Sequence, residues 1–427
     1  MSEFKDVIKI YEYEKKYLVL NTIVPSWVIT NINGVLFIKF CNFNIDIEST
    51  ARTIHKRFSQ VKYQNIVSFL RYCKDENLFR SNPYATCHKP YALNAIYFNM
   101  TPKCNLHCSY CYATSRKESQ KKLLNLDDYK KIIDDSLKYT INNELTICFT
   151  GGEPLLRKET IEVANYARCK GAITKLMTNG TLITNENVND LLQSFDEFRI
   201  SLDGSNAEIH NKYRGKNAYE RTINAINLLK QNNAKISLAM VVTKQNRTDV
   251  INMKNMWGNL LNFQPLFPLG NANNDSDLFL TGKEYFEALS LDPDIVPFAN
   301  LKDIIRRHQN SASLFKCSMG DGEISISATG DMYPCQLLHN SDCLIGNLHD
   351  NTFDELYNSA INERFKHHTF ECIDGCKDCD FRLLCGGSCQ ARHYSETGTL
   401  DKAGKFCEYE KLGIVQGLIK TSEMRHI

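Results

Sequence analysis

Between Met100 and Glu118 the chain reads MTPKCNLHCSYCYATSRKE, which sets Cys104, Cys108 and Cys111 in a C-x3-C-x2-C array. Thiolates are soft ligands suited to iron and zinc. Three of them can hold three irons of a [4Fe–4S] cube and leave the fourth open. A zinc site completed by His107 would use the same sulfurs. A second array follows: Cys317, twelve residues, Gly330, four residues, Cys335; then Cys376-x2-Cys379-x5-Cys385-x3-Cys389, and Cys407 after seventeen more. Here too the C-x2-C pair fits zinc as well as iron. Nine of the seventeen cysteines fall from Cys317 onward. An odd total fits a closed disulfide framework poorly, so metal ligation is the favoured reading. GGEP at 151–154 adds glycines whose freed backbone amides can approach a small polar ligand closely.

Other chemistries are disfavoured by the bulk of the sequence. Lys and Arg number 51 against 49 Asp and Glu, too balanced for the footprint of a duplex-binding protein. No apolar run approaches the roughly 18 residues of a membrane span, and MSEFKDVIKIYEYEKK is no signal peptide. The expectation is a soluble cytoplasmic protein with no nucleic-acid or membrane partner. Its 427 residues imply two or three domains.

Residues 1–90 read as a small α+β module: strands YLVLN and WVITN, then helices in NGVLFIKFCNF, IDIESTARTIHKRF and QVKYQNIVSFLRYCKDENLF, and a linker RSNPYATCHKP. In residues 91–310 strands and helices alternate, through AIYFNMT, LTICFTGGEP, ITKLMTNG, FRISLDG, ISLAMVVTK and FQPLFPLG. That alternation predicts an α/β fold, a parallel sheet with its site at the carboxyl ends of the strands. Residues 311–427 have short strands, many glycines and little apolar core, so metal sites are expected to hold them together. Cys41, Cys73 and Cys148 fit core positions; Cys87 and Cys169 carry no assigned role.

With NMTPKCNLHCSYCY on the first strand, GGEP on the second, TNGTLI on the third and SLDG on the fourth, about 180 residues resemble the radical SAM superfamily. The resemblance implies a partial (β/α)6 barrel. In it S-adenosylmethionine chelates the open iron of the cluster and is cleaved to a 5′-deoxyadenosyl radical that abstracts hydrogen. It also implies cofactor contacts from Gly151, Gly152 and Glu153 to the methionyl amino group, and from Tyr110 to the adenine. Ser201 and Asp203 would meet ribose or carboxylate, Arg221 (with Arg214 as second choice) the carboxylate, and Val242 the adenine. The later array resembles a SPASM extension with two auxiliary [4Fe–4S] clusters, making three in all. Cys376, Cys379, Cys385 and Cys407 would ligate one of these, and Cys317, Cys335 and Cys389 the other. No cysteine stands where many members place an eighth, so Cys343, Cys372 or an open iron completes that site.

The front module resembles a PqqD-like winged-helix RiPP recognition element, which binds the leader of a ribosomally made precursor peptide. Trp27–Asn31 and Val61–Phe79 are its candidate leader-binding strand and helix. The function implied is a peptide maturase fed by flavodoxin or ferredoxin, forming thioether cross-links as in sactipeptide and ranthipeptide synthases. Carbon–carbon or carbon–oxygen cyclisation, sulfatase-maturase-like oxidation and a zinc-binding winged-helix regulator are the rival readings.

Overall fold

The amino-terminal sheet starts one strand earlier than its apolar runs announce. The computed structural model describes residues 3–82, 91–115, 122–142, 144–274, 276–291 and 316–425. Cys87 and most of the expected linker lie outside them. Strands β1 (Ile8–Tyr13), β2 (Lys16–Asn21) and β3 (Ser26–Thr30) form an antiparallel sheet in that order. Glu14 and Lys15, at φ 50° and 63°, turn the β1–β2 hairpin. Two successive positive φ values are the mark of a type I′ turn, usually announced by Asn-Gly. The pair Glu-Lys hides it, and with it β1.

Helices Ile32–Ile38, Ile47–Arg57 and Tyr63–Asp75 follow, at the three places expected from the sequence. Asn31 and Asp46 cap the first two by accepting backbone N–H groups of the opening turn. The helices cover one face of the sheet, burying Val19 and Val28 with Ile54, Ile66, Leu70 and Cys73. The opposite face is covered in turn at its centre. Leu18 and Leu20 pack on Ile414, Leu418 and Ile419 of the carboxy-terminal helix Cys407–Arg425, and on Phe381 and Leu384. Tyr11 Oη donates to Asp380 at 2.7 Å, and Gln416 Nε2 to Tyr13 Oη at 2.7 Å. Burial on both faces explains the unbroken LVL run of β2.

Six parallel strands build the middle of the chain: β4 (Ala95–Thr101), β5 (Thr146–Gly151), β6 (Ile173–Thr178), β7 (Glu197–Ser201), β8 (Lys235–Val242) and β9 (Leu261–Pro265). They pair in sequence order, with helices such as Leu126–Ser136, Glu159–Cys169 and Ala218–Gln231 between them. Each strand sends alternate residues to opposite sides. Ile96, Phe98, Ile147, Phe149, Phe198, Ile200, Leu238 and Met240 face the helices and are buried. Tyr97, Cys148, Lys175 and Arg199 line an interior cavity of about 300 Å³. Cys148, buried within β5 as expected, faces this cavity.

The cysteine-rich segment is continuous with this sheet. Strand β10 (Glu323–Ile326) pairs in parallel with β4, Ser325 opposite Tyr97, and β11 (Asp331–Tyr333) and β12 (Gly346–Asn347) follow antiparallel. Nine strands result, ordered β12-β11-β10-β4-β5-β6-β7-β8-β9. No helix among the described residues is long and apolar enough to cross a membrane.

Candidate cofactor and cluster sites

The loop after β4 is held from three sides. Asn105 Nδ2 donates to Thr181 Oγ1 at 2.8 Å, and Asn179 Nδ2 to Asn105 Oδ1 at 3.0 Å, tying the loop to the turn after β6. Ser109 N donates to Tyr213 O at 3.0 Å. Asn271 donates from its backbone to Cys111 O at 3.0 Å and from its side chain to Cys108 O at 3.1 Å. So fixed, Cys104, Cys108 and Cys111 line one cavity of about 250 Å³ with Gly151, Gly152, Tyr110, Ser201 and Arg214.

The two glycines let the β5 loop reach the cysteine loop. Gly152 N donates to Thr101 O at 2.7 Å and Glu153 N to Lys103 O at 2.8 Å. A Cβ on Gly152 would lie 2.1 Å from Lys103 O, and Gly151 has φ +125°. Glu153 is buried behind this apposition. Its carboxylate accepts from Thr178 Oγ1 at 2.7 Å, Asn179 N at 3.0 Å and Leu155 N at 3.2 Å. Its acceptor capacity is engaged by the loops themselves, so it positions the glycines and does not line the cavity.

Three more expected contacts are corrected by the geometry. Arg221 is exposed and donates to Asn217 O at 3.0 Å, away from the cavity, because it lies on the outer side of its helix. Arg214, the second choice, lines the cavity. Val242 is buried among the helices; strand alternation turns the neighbouring Val241 to the cavity. Asp203 lies behind the lining, where Tyr110 Oη and Arg214 Nε donate to Oδ2 and Val241 N to Oδ1 at 2.9 Å. Burial opposes its charge most strongly, yet Arg214, His210 and Tyr110 together hold its pKa below the usual carboxylate value. The same guanidinium lies 5.8 Å from the centre of the Tyr110 ring. Arg214, Asp203 and Tyr110 therefore brace the wall beside Cys108, whose thiol burial raises to about 11 against the pull of Arg214.

Arg199, Met177, Gln264, Phe267, Gln336 and Leu337 also line the cavity, and none was singled out from the sequence. Arg199 alone carried a signal: a cation at an inward position of EFRIS, between buried Phe198 and Ile200.

His210 accepts the Asp203 N–H through Nδ1 at 3.1 Å, and its buried Nε2 has no partner among the described residues. Burial, with Arg214 adding to it, lowers its pKa from 6.5 to about 4. The unfolded chain protonates this ring at a higher pH than the folded one. Stability therefore falls as pH drops from about 6.5 toward 4. Between about pH 7 and pH 5, urea unfolding should show a loss of about 2 kcal/mol that His210→Gln lacks. Parallel pH profiles of wild type and variant would refute it.

Beyond the barrel, the cysteines divide into two groups. Cys376, Cys379, Cys385 and Cys407 line a common small cavity with Ser388 and Glu410. Burial raises the pKa of Cys317, with Cys389 adding to it, and that of Cys335, with Cys317 and Cys389 adding to it, so the three thiols lie near one another. Neither proposed completion joins the second group: Cys372 is exposed, and Cys343 is buried beside Asn340, Asp342 and Arg364. Arg392 locks this region to the barrel, donating to Leu266 O at 2.8 Å and stacking on Phe406 and Phe267. Three thiols opening on a cavity with a glycine cradle fit a cluster with one iron left for a small ligand. Four thiols around a common space fit a fully ligated one.

Known proteins agree with this geometry. The Radical SAM superfamily model matches residues 98–256, and the SPASM iron-sulfur cluster-binding domain matches 317–380. An AdoMet-dependent heme synthase of Oleidesulfovibrio alaskensis is 29% identical over 350 residues, 75% of this chain and 88% of that protein. The subtilosin biosynthesis protein AlbA of Bacillus subtilis is 26% identical, over 68% of this chain and 66% of its own. Among solved structures, anSMEcpe with bound AdoMet and Cp18Cys peptide matches with TM-score 0.63 and 21% identity, covering 79% of this chain and all of that one. Streptococcus suis SuiB bound to precursor peptide SuiA matches with TM-score 0.57 and 13% identity, over 94% of this chain and 98% of SuiB. The chain thus carries a radical SAM domain, which binds S-adenosylmethionine and a [4Fe–4S] cluster, joined to a SPASM domain that binds auxiliary iron–sulfur clusters.

Proposed function

We propose that this protein is an enzyme that modifies a ribosomally made precursor peptide, joining a cysteine sulfur to a carbon that has lost hydrogen. The observation that carries this reading is the amino-terminal module. Strand β3 pairs with β2 alone among the described residues, so its other edge offers backbone donors and acceptors to an added strand. The helix Tyr63–Asp75 runs beside that edge: Ser26 Oγ donates to Glu76 O, and Phe69 packs over Gly34 next to Thr30. Exposed Ile32, two residues beyond β3, adds an apolar side chain near it. An extended leader peptide held there would be tethered to the body that holds the clusters, because the other face of the sheet packs on the carboxy-terminal helix.

Gly151, Gly152, Ser201 and Arg214 would hold the nucleoside, and Cys104, Cys108 and Cys111 its cluster. When bound, these groups supply a hydrogen-atom acceptor, and the auxiliary clusters an acceptor for the second electron. The chain's own part is orientation and exclusion of water, through Tyr110, Val241 and Leu266 on the cavity wall. Kinship to AlbA supports the peptide reading. Kinship to heme synthase supports a second reading, in which the substrate is a porphyrin.

The two separate in one experiment. The anaerobic enzyme is incubated with dithionite, S-adenosylmethionine and a cysteine-containing peptide encoded beside its gene. Mass spectrometry should show a loss of about two daltons per bridge, the mass of two hydrogens. Unchanged peptide mass together with heme formation from an iron porphyrin added in its place would replace the peptide reading.

A further inference from the structure

The second auxiliary set has three thiols and no fourth among the described residues, and a carboxylate lies near two of them. Glu323 is the first residue of β10. Ile324 and Ile326 turn to the buried core, so Glu323 and Ser325 face the other side, where β10 extends the inward face of β4. There Gln336 N, next to Cys335, approaches Glu323 Oε1 at 3.5 Å, and Glu323 N donates to Ser318 O, next to Cys317, at 2.9 Å. Glu323 is also among the charges felt by Cys317. Among the described residues it has no cationic partner. A carboxylate set among thiols with no cation beside it lacks the compensation that buried charges ordinarily have. An iron would supply it.

We propose that Glu323 is the fourth, oxygen ligand of the cluster held by Cys317, Cys335 and Cys389. This rests on the auxiliary-cluster assignment of those cysteines. Carboxylate oxygen binds cluster iron less tightly than thiolate, as its harder character requires. The Glu323 iron is therefore the exchangeable one. Gln336, whose N–H approaches Glu323, and Leu337 beside it are part of the reaction cavity's wall. A substrate thiolate can displace the carboxylate there while the three cysteines keep the cluster in place.

The test uses the full-length protein carrying Cys104→Ala, Cys108→Ala and Cys111→Ala, which leaves only the auxiliary clusters. Iron analysis should give about eight irons per chain. About four or fewer would remove the cluster assignment itself, before Glu323 is put to the test. With eight present, one of the two reduced clusters should change its EPR g-values in Glu323→Ala and shift again when cyanide is added, while the other stays fixed. Glu323→Cys should convert that same cluster to a four-thiolate site with a more negative midpoint potential and no response to cyanide. Spectra and potentials of both clusters identical to the parent in Glu323→Ala and Glu323→Cys would overturn the proposal. Should Glu323→Ala lose the cluster or fail to fold, recovery of about eight irons in Glu323→Cys supports the ligand role. Failure of that variant too would mark Glu323 as structural and overturn it.

Discussion

Replacing Cys108 with alanine is expected to reduce 5′-deoxyadenosine formation by at least about a thousandfold while leaving the sheet intact. Cys108 is the buried member of its triad, between Leu106 and Ala218. The backbone around it is fixed by Ser109 N to Tyr213 O and by the Asn271 amide to Cys108 O. An alanine keeps all of these contacts and fits the same apolar surroundings, so far-UV circular dichroism should not change. What is lost is one of three thiolates. Two cannot retain a cube and leave a single iron open for the nucleoside. The purified variant should therefore lack about four irons relative to wild type and keep those of the auxiliary sites. Cleavage of S-adenosylmethionine at more than about a hundredth of the wild-type rate would refute the assignment of the triad.

Gly152→Ala should be nearly as damaging, by a different route. Its new Cβ would sit 2.1 Å from Lys103 O and 2.8 Å from Pro102 O. Both neighbours are backbone, so relief requires moving one loop away from the other. The bonds from Gly152 N to Thr101 O and from Glu153 N to Lys103 O would stretch, and the cradle would open beside Cys104. Overpacking of this kind costs about 1–3 kcal/mol, and more where only backbone can give way. We expect S-adenosylmethionine affinity to fall roughly 10- to 100-fold in calorimetric titration of the anaerobic protein. Gly171→Ala is the control. It also has positive φ, +88°, but no atom lies within 4 Å of its Cβ. It should cost about 1 kcal/mol of stability through backbone strain alone and leave affinity unchanged. Equal behaviour of the two variants would show that the close approach at Gly152 has no part in binding.

The site was readable where chemistry is carried by local spacing. Cys104, Cys108 and Cys111 stand within eight residues, and one loop must bring them together. The glycines after β5 are likewise local, because a backbone that must touch a neighbour cannot carry a Cβ. The six barrel strands were readable for a related reason: alternation of apolar runs with helical stretches leaves few other packings. The errors fell where one residue of register or one turn of helix decides direction. Val241 and Val242 are chemically alike, and only the pairing of β8 with β7 tells which faces the cavity. Arg214 and Arg221 both end or begin helices near the site, and only packing buries the first against Asp203.

Thiol spacing, the glycine cradle and strand–helix alternation were thus determined by the sequence alone, because each depends on residues near one another in the chain. Tertiary structure decided what depends on distant segments. Pairing of β10 with β4 joins residue 323 to residue 95, making the cysteine-rich segment part of the barrel wall. Packing of β2 on the carboxy-terminal helix attaches the front module to the clusters. Such contacts form only after loops of hundreds of residues close, and no short-range pattern of residue types records which of them will.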